Sequence, residues 1–352
     1  MKVGIFGAGA IGAYVGIQLS SAGVPVTMIG RPWIADLRSR LHARSIAGRE
    51  ARPGADLEIT QDPGALADCD ICLLSVKSRH TNGAAETLAD VLPAGTPVLS
   101  LQNGLRNPER LRAAGIDVVV PGMVGFNVFL DDEHACFRQA TSGPVELGIP
   151  RAGEHAAEAR RRLAALGDAF ERAGEEFKLC RDIEAVQRGK LLLNLNNGVC
   201  AVAGVSISAS VAERELRRVF SRLIVEGLQV FRRAKLPAAT VGKLPPQFIA
   251  RLLPLPDWIV LKVAPSLIKI DERAKSSTLQ DLEAGKPTEI DDLSGEIVRL
   301  GERHGVDTPA NRWIVEQIHK LEKQGDERRH PSPTYMADAT ARAPSAGRAG
   351  QS

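Results

Sequence analysis

Lys190, Asn194 and Asn197 stand four and seven residues apart in the run Lys190-Leu-Leu-Leu-Asn-Leu-Asn-Asn. At about 100° per residue, a helix brings all three within an arc of roughly 60°. Between them lie Leu191, Leu192, Leu193 and Leu195. Polar side chains on so apolar a helix are costly unless their face lines a polar cleft. Such a face offers one cation and two neutral hydrogen-bonding amides to whatever occupies the cleft. The structural alternative is a lysine stem lying along the apolar surface at a helix end, with capping asparagines.

Gly7-Ala8-Gly9-Ala10-Ile11-Gly12 follows the apolar run Lys2–Phe6 and opens a helical pattern. In that context G-x-G-x-x-G is a dinucleotide-binding turn. Gly7 permits the turn, Gly9 lets backbone approach a pyrophosphate, and Gly12 lets helix and strand pack closely. The amides around Ala8, Ala10 and Ile11 then face the phosphates at a helix N-terminus. The second strand ends at Arg31, with no acid until Asp36. A ribose 2′-hydroxyl calls for a carboxylate there and a 2′-phosphate for a cation, so Arg31 points to NADP(H). Lys77 and Asn103 end the two following strands, where ligands bind in open α/β sheets. Lys77 is positioned for cofactor phosphates and Asn103 for nicotinamide and substrate. A solvated lysine and an Asn-Gly turn are the plain alternatives. Farther on, Ser276-Ser277-Thr278-Leu279-Gln280-Asp281 and Thr288-Glu289-Ile290-Asp291 combine small hydroxyls with carboxylates. They suit a small acid and a cation, or serve as helix N-caps.

The elements that must position these residues follow from periodicity. Apolar runs at 2–7, 24–30, 70–76, 96–104, 118–129 and 144–150 alternate with helical patterns at Ile11–Ala22 and Thr81–Leu92. Such alternation implies βαβ units and a doubly wound α/β domain. Residues 55–60 read as a short strand or hairpin arm, and 177–182 as a last strand. Beyond a boundary near 178–183, helical spacing dominates. The expected organisation is an α/β domain over 1–180, an all-helical domain over 181–330, and a disordered small-residue, Pro-rich tail over 331–352.

The chain has 352 residues, 45 Lys and Arg against 42 Asp and Glu, and a formal charge of +3. That charge attracts neither nucleic acid nor anionic lipid, and with 4% aromatics there is no base-stacking platform. No apolar stretch reaches the roughly 20 residues of a membrane span. Five sparse cysteines suit a reducing cytoplasm, and the lone Cys69-x-x-Cys72 reads as buried strand thiols. The scattered histidines give no metal site. A homodimer remains open as the assembly.

Taken together, the chain resembles the ketopantoate reductase (2-dehydropantoate 2-reductase) family from residue 1 to about 325. The anchors are the 7–12 glycine turn, Arg31, Ser75-Val-Lys77, Leu101-Gln-Asn-Gly104, Lys190-Leu-Leu-Leu-Asn194, and Ser-Ser-Thr-Leu-Gln-Asp followed by Thr-Glu-Ile-Asp. The resemblance implies a Rossmann-type sheet domain and a helical domain. It implies NADPH-dependent reduction of ketopantoate to (R)-pantoate, for pantothenate and coenzyme A synthesis. Lys190 would be the general acid, supported by Glu289, which also counts among the cofactor contacts. Asn103, Asn194, Asn197 and Ser277 would bind the 2-keto acid, and Lys77 the cofactor. The chain departs from the family at Gly198, where a second asparagine is common, and at Arg188, where an aromatic is common. Three alternatives stay open: a reductase of another branched 2-keto acid, a β-hydroxyacid, opine or glycerol-3-phosphate dehydrogenase, and a catalytically silent NADP-binding sensor.

Overall fold

The computed structural model describes residues 1–131, 133–150, 153–260, 262 and 274–343. The chain divides into two compact units, Met1–Glu184 and Ala185–Ser352. The first unit is built on strands β1 (Val3–Phe6), β2 (Val26–Ile29), β3 (His42–Arg44), β4 (Glu50–Ala51), β5 (Leu57–Thr60), β6 (Ile71–Leu74), β7 (Val98–Ser100), β8 (Val119–Val124), β9 (Val128–Asp131), β10 (Cys136–Gln139), β11 (Val145–Gly148) and β12 (Phe177–Cys180). Its helices are α1 (Ala10–Ser21), α2 (Pro32–Asp36), α3 (Thr81–Val91), α4 (Asn107–Ala113) and α5 (Ala156–Arg172).

Eight strands form one sheet in the order β12-β11-β8-β7-β6-β1-β2-β5. From β5 to β8 every pairing is parallel, and β11 joins β8 antiparallel. The strand order reverses at β1, between β2 and β6. That switch point puts the ligand crevice of a doubly wound sheet outside the carboxyl ends of β1 and β6. Val3, Ile5, Val26, Met28, Ile71 and Leu73 are all fully buried, as expected of parallel strands covered on both faces. Cys69 and Cys72 are free thiols in this core, and burial pushes Cys69 up to about 11. A thiol held protonated is inert, so the C-x-x-C spacing is packing here.

Of the second sheet, β4-β3-β10-β9, only the start of β9 falls in an apolar run of the sequence. His42-Ala-Arg44 and Glu50-Ala51 carry too little alternation to signal strands. This sheet packs on α1, where the Tyr14 hydroxyl donates to Glu175 at 2.8 Å. The strand character read over 118–129 is interrupted at Gly125, whose added Cβ would lie 2.8 Å from the Pro144 carbonyl oxygen.

The described residues of the second unit form no sheet. Its helices are α6 (Ile183–Ala203, entered from the first unit), α7 (Ile207–Ala212), α8 (Arg214–Arg233), α9 (Pro246–Leu252), α10 (Ser277–Glu283), α11 (Ser294–His304), α12 (Pro309–Gln324) and α13 (Pro333–Arg342). A Cβ on Gly227 of α8 would stand 2.4 Å from Leu192, so glycine sets how closely α8 approaches α6. No helix among the described residues is long and apolar enough to cross a membrane.

The tail expectation is corrected over residues 333–342. Ser332 caps α13 by accepting from the Tyr335 amide at 3.3 Å, and Met336, Ala337 and Thr340 are buried. Arg222 of α8 donates to the Ala337 carbonyl and to Thr340 Oγ1. A narrow stripe of small residues suffices because α8 supplies the partner surface, which composition does not reveal. Residues 344–352 lie outside the described residues. Deleting residues 331–352 should uncover this stripe, cost about 2–3 kcal/mol and lower the melting temperature by roughly 4–10 °C. An unchanged transition in scanning calorimetry would contradict the docking.

Candidate active site

In the first unit, the expected cofactor residues gather at the carboxyl ends of the parallel strands. Gly7 has φ +106°, and an added Cβ would meet Val76 Cγ1 at 2.7 Å. Its amide and that of Ala8 donate to the Ile29 carbonyl, and Ser75 Oγ donates to the Gly7 carbonyl at 2.7 Å. The turn is thereby tied to both neighbouring strand ends. A Cβ on Gly12 would lie 2.3 Å from Gly7 O and 2.4 Å from Ser75 Oγ, so α1 can seat on the turn only through glycine. Around Gly9, by contrast, nothing lies within 4 Å of an added Cβ. The first amides of α1, from Ala10, Ile11 and Gly12, have no partner inside the helix. Open space beside those amides fits a pyrophosphate.

Arg31 follows β2 and immediately precedes α2. It is exposed, and its guanidinium has no partner among the described residues. Lys77, half-buried, precedes a short 3-10 turn, Ser78–His80. Asn103 is also half-buried; its carbonyl accepts from Ser78 Oγ at 3.0 Å and from Asn107 Nδ2 at 2.7 Å.

In the second unit, α6 carries Lys190, Asn194 and Asn197, all partly exposed between buried Leu191, Leu192, Leu195 and Val199. Burial pulls the Lys190 ammonium down to about 8, and the Glu289 carboxylate acts in the opposite sense. Glu289 is itself 7% exposed, just before a 3-10 turn, Ile290–Asp292. Thr288 Oγ1 makes the turn's cap bond to the Ile290 amide, so the Glu289 side chain is not its cap.

Ser276 takes the capping role weighed for the serine pair. Its Oγ accepts from the Leu279 amide and donates to the Asn197 carbonyl, each at 3.2 Å. That second bond ties the start of α10 to α6. Ser277, one residue on, keeps a partly exposed hydroxyl with no partner among the described residues, as does the Asn197 amide. The neighbouring Asn196 is spent internally, donating to Ser210 Oγ at 3.0 Å.

At both departures from the family pattern, α6 meets a neighbouring segment. A Cβ on Gly198 would stand 2.6 Å from Ile314 Cγ2 and 3.3 Å from Ile290 Cδ1, so an asparagine would be driven into α12. Arg188 Nε donates to the Pro237 carbonyl at 2.5 Å.

Residue patterns gave no sign of a buried polar cluster beside Lys77 and Asn103. Ser78, Thr81, Gln102 and Asn107 are each 8% exposed or less and bond one another across the two loops. Only Gln102 sits in a recognisable motif, and no spacing rule links residues this far apart in the chain.

Two family models cover most of the chain: "Ketopantoate reductase PanE/ApbA" over residues 3–151 and its C-terminal counterpart over 182–322. The chain belongs to the ketopantoate reductase family. It is 30% identical over 324 residues to the 2-dehydropantoate 2-reductase of Archaeoglobus fulgidus, covering 91% of this chain and 98% of the relative. Against the enzyme of that name from Halobacterium salinarum it is 26% identical, covering 92% and 100%. Among solved structures, a ketopantoate reductase from Ralstonia eutropha matches with a TM-score of 0.74 and 27% identity, over 92% of this chain and 99% of that one. D-Mandelate dehydrogenase, solved with NADH and anilino(oxo)acetate, shares the fold with a TM-score of 0.74 at 22% identity and the same coverage. This is an oxidoreductase family, and the glycine turn fits its cofactor class, a nicotinamide dinucleotide.

Proposed function

We propose that this chain is an NADPH-dependent 2-dehydropantoate 2-reductase. In this reading it makes (R)-pantoate for pantothenate and coenzyme A synthesis in the cytoplasm, as a homodimer. The observation that carries the reading is Lys190, set among buried leucines on α6 with the carboxylate of buried Glu289 acting on it; burial brings its ammonium down to about 8. A pKa this close to neutrality suits a general acid, which must be charged at working pH and still release its proton.

When bound, a reduced nicotinamide supplies the hydride. The amides at the start of α1 take the pyrophosphate, and Lys77 assists with cofactor phosphate. Arg31 takes the ribose 2′-phosphate; its free planar guanidinium suits that group. Asn103 contacts nicotinamide and substrate. Asn194, Asn197 and Ser277 grip the 2-keto acid with neutral donors. As charge grows on the C2 carbonyl oxygen, the Lys190 ammonium stabilises it and gives up its proton there. The Glu289 carboxylate, which the family resemblance also counts among the cofactor contacts, holds that ammonium in place. Gly198 and Arg188, on the same helix as Lys190, are where the chain departs from the family, so another branched 2-keto acid is the competing substrate.

Nucleotide oxidation measured with ketopantoate and a panel of branched 2-keto acids tests this function. NADPH with ketopantoate should give the highest kcat/KM. In the same assay Arg31→Asp should raise the KM for NADPH at least tenfold more than that for NADH, because a repelling charge replaces a phosphate partner. Equal losses for both nucleotides would remove Arg31 from 2′-phosphate recognition. Turnover of another 2-keto acid in preference to ketopantoate would reassign the substrate.

A further inference from the structure

The loops after β6 and β7 are joined by side chains rather than by backbone pairing. Asn107, the first residue of α4, lies at the junction and is 1% exposed. Its Nδ2 donates to the Asn103 carbonyl at 2.7 Å and to Ser78 Oγ at 3.1 Å. Its Oδ1 accepts from Thr81 Oγ1 at 2.9 Å and from Arg110 at 3.1 Å. Thr81 in turn accepts from Gln102 Nε2 at 2.7 Å, and Gln102 also donates to the Val76 carbonyl at 3.0 Å. Ser78 closes the circuit by donating to the Asn103 carbonyl at 3.0 Å. The bonds of Ser78, Thr81 and the Val76 carbonyl to Asn103, Asn107 and Gln102 run from the segment holding Lys77 (76–81) to the segment holding Asn103 (102–107).

The chemistry of the junction is directional. An amide side chain gives two donors and a carbonyl with two lone pairs, and Asn107 uses all four. No other uncharged side chain of that size can do so. Buried networks in which every member is satisfied are rigid and fix one geometry, whereas removing one partner strands the rest. The backbone of Asn103 is therefore held by a residue that itself lies four positions beyond it.

We propose that Asn107 is a positioning residue: through the Asn103 carbonyl and Ser78 it sets the placement of Asn103 relative to Lys77 for nicotinamide and keto acid. This rests on the reading of Asn103 as a contact for those ligands. Misplacing a contacting group by about 1 Å costs up to ~100-fold in rate, so the effect falls on kcat rather than on folding alone.

Asn107→Asp is the informative substitution. It keeps the acceptor for Thr81 and Arg110 but turns the donor facing the Asn103 carbonyl into an acceptor. Thr81→Val breaks the other side of the junction with little change of shape and serves if Asn107→Asp does not fold. With NADPH and ketopantoate, either variant should lower kcat about 10- to 100-fold. In an Asn103→Ala background the same substitution should lower kcat less than twofold further, because the side chain it positions is gone. A purely structural residue would cost the same factor in both backgrounds. Wild-type kcat in Asn107→Asp and Thr81→Val, or equal factors in both backgrounds, would overturn the proposal. Wild-type kinetics in Asn103→Ala alone would instead overturn the underlying reading of Asn103, and the positioning role with it.

Discussion

Lys190→Ala cuts turnover of the keto acid by about 10²–10⁴, the usual range for losing general acid assistance. Nicotinamide-nucleotide affinity stays within about twofold, because the glycine turn, Arg31 and Lys77 belong to the first unit and Lys190 to the second. Lys190→Arg restores little. A guanidinium keeps the charge, but it yields its proton poorly and cannot occupy the same point. Glu289→Ala is nearly as damaging, and the double variant is little worse than Lys190→Ala, since groups acting as one unit lose activity once. Steady-state kinetics of the four variants check this. Additive losses would place Glu289 in a separate role, and wild-type turnover in Lys190→Ala would leave the lysine as helix surface.

The second large effect is on stability, at Arg217 of α8. This side chain is 1% exposed, and its guanidinium donates to the carbonyls of Leu253, Val211, Ala212 and Leu255 at 2.9–3.2 Å. It thereby receives chain ends from α7 and from the segment just after α9, which a helix leaves without amide partners. The additional pair with Asp257 adds little, because that carboxylate is 57% exposed. Arg217→Met preserves much of the packing but strands the carbonyls. The expected cost is about 3–5 kcal/mol, reported as a lower urea midpoint at unchanged slope. A midpoint within experimental error of wild type would mean that water or a local shift satisfies those carbonyls.

Much of the first unit was legible because each signal has one dominant physical cause. Gly7, Gly9 and Gly12 each do a different backbone job, and the close contacts at Gly7 and Gly12 and the open space at Gly9 match those jobs. The buried parallel strands are continuous apolar runs, so β1, β2, β6 and β7 could be read directly. The face shared by Lys190, Asn194 and Asn197 follows from helical period alone. Other features leave no local trace. Strands β3 and β4 are two to three residues long and partly charged, and they exist because α1 and β10 offer a surface. Helix α13 hides in a Pro- and Ala-rich segment because its stripe needs α8 to complete it. The serine pair was ambiguous until geometry separated the capping Ser276 from the free hydroxyl of Ser277. Gly198 shows the reverse limit: where the family commonly has an asparagine, this chain has glycine, and Ile314 and Ile290 occupy the space beside it.

The central claim is that Lys190 protonates the reduced carbonyl, and the pH dependence of kcat/KM for NADPH-driven ketopantoate reduction tests it most directly. With the ammonium at a pKa of about 8, the required acid is present at neutral pH and is lost as pH rises through that value. The profile should be level below about pH 7.5 and fall toward a tenfold loss per pH unit above about 8.5. A profile that stays level through pH 9.5, or that rises with pH, would contradict a lysine acid at this position.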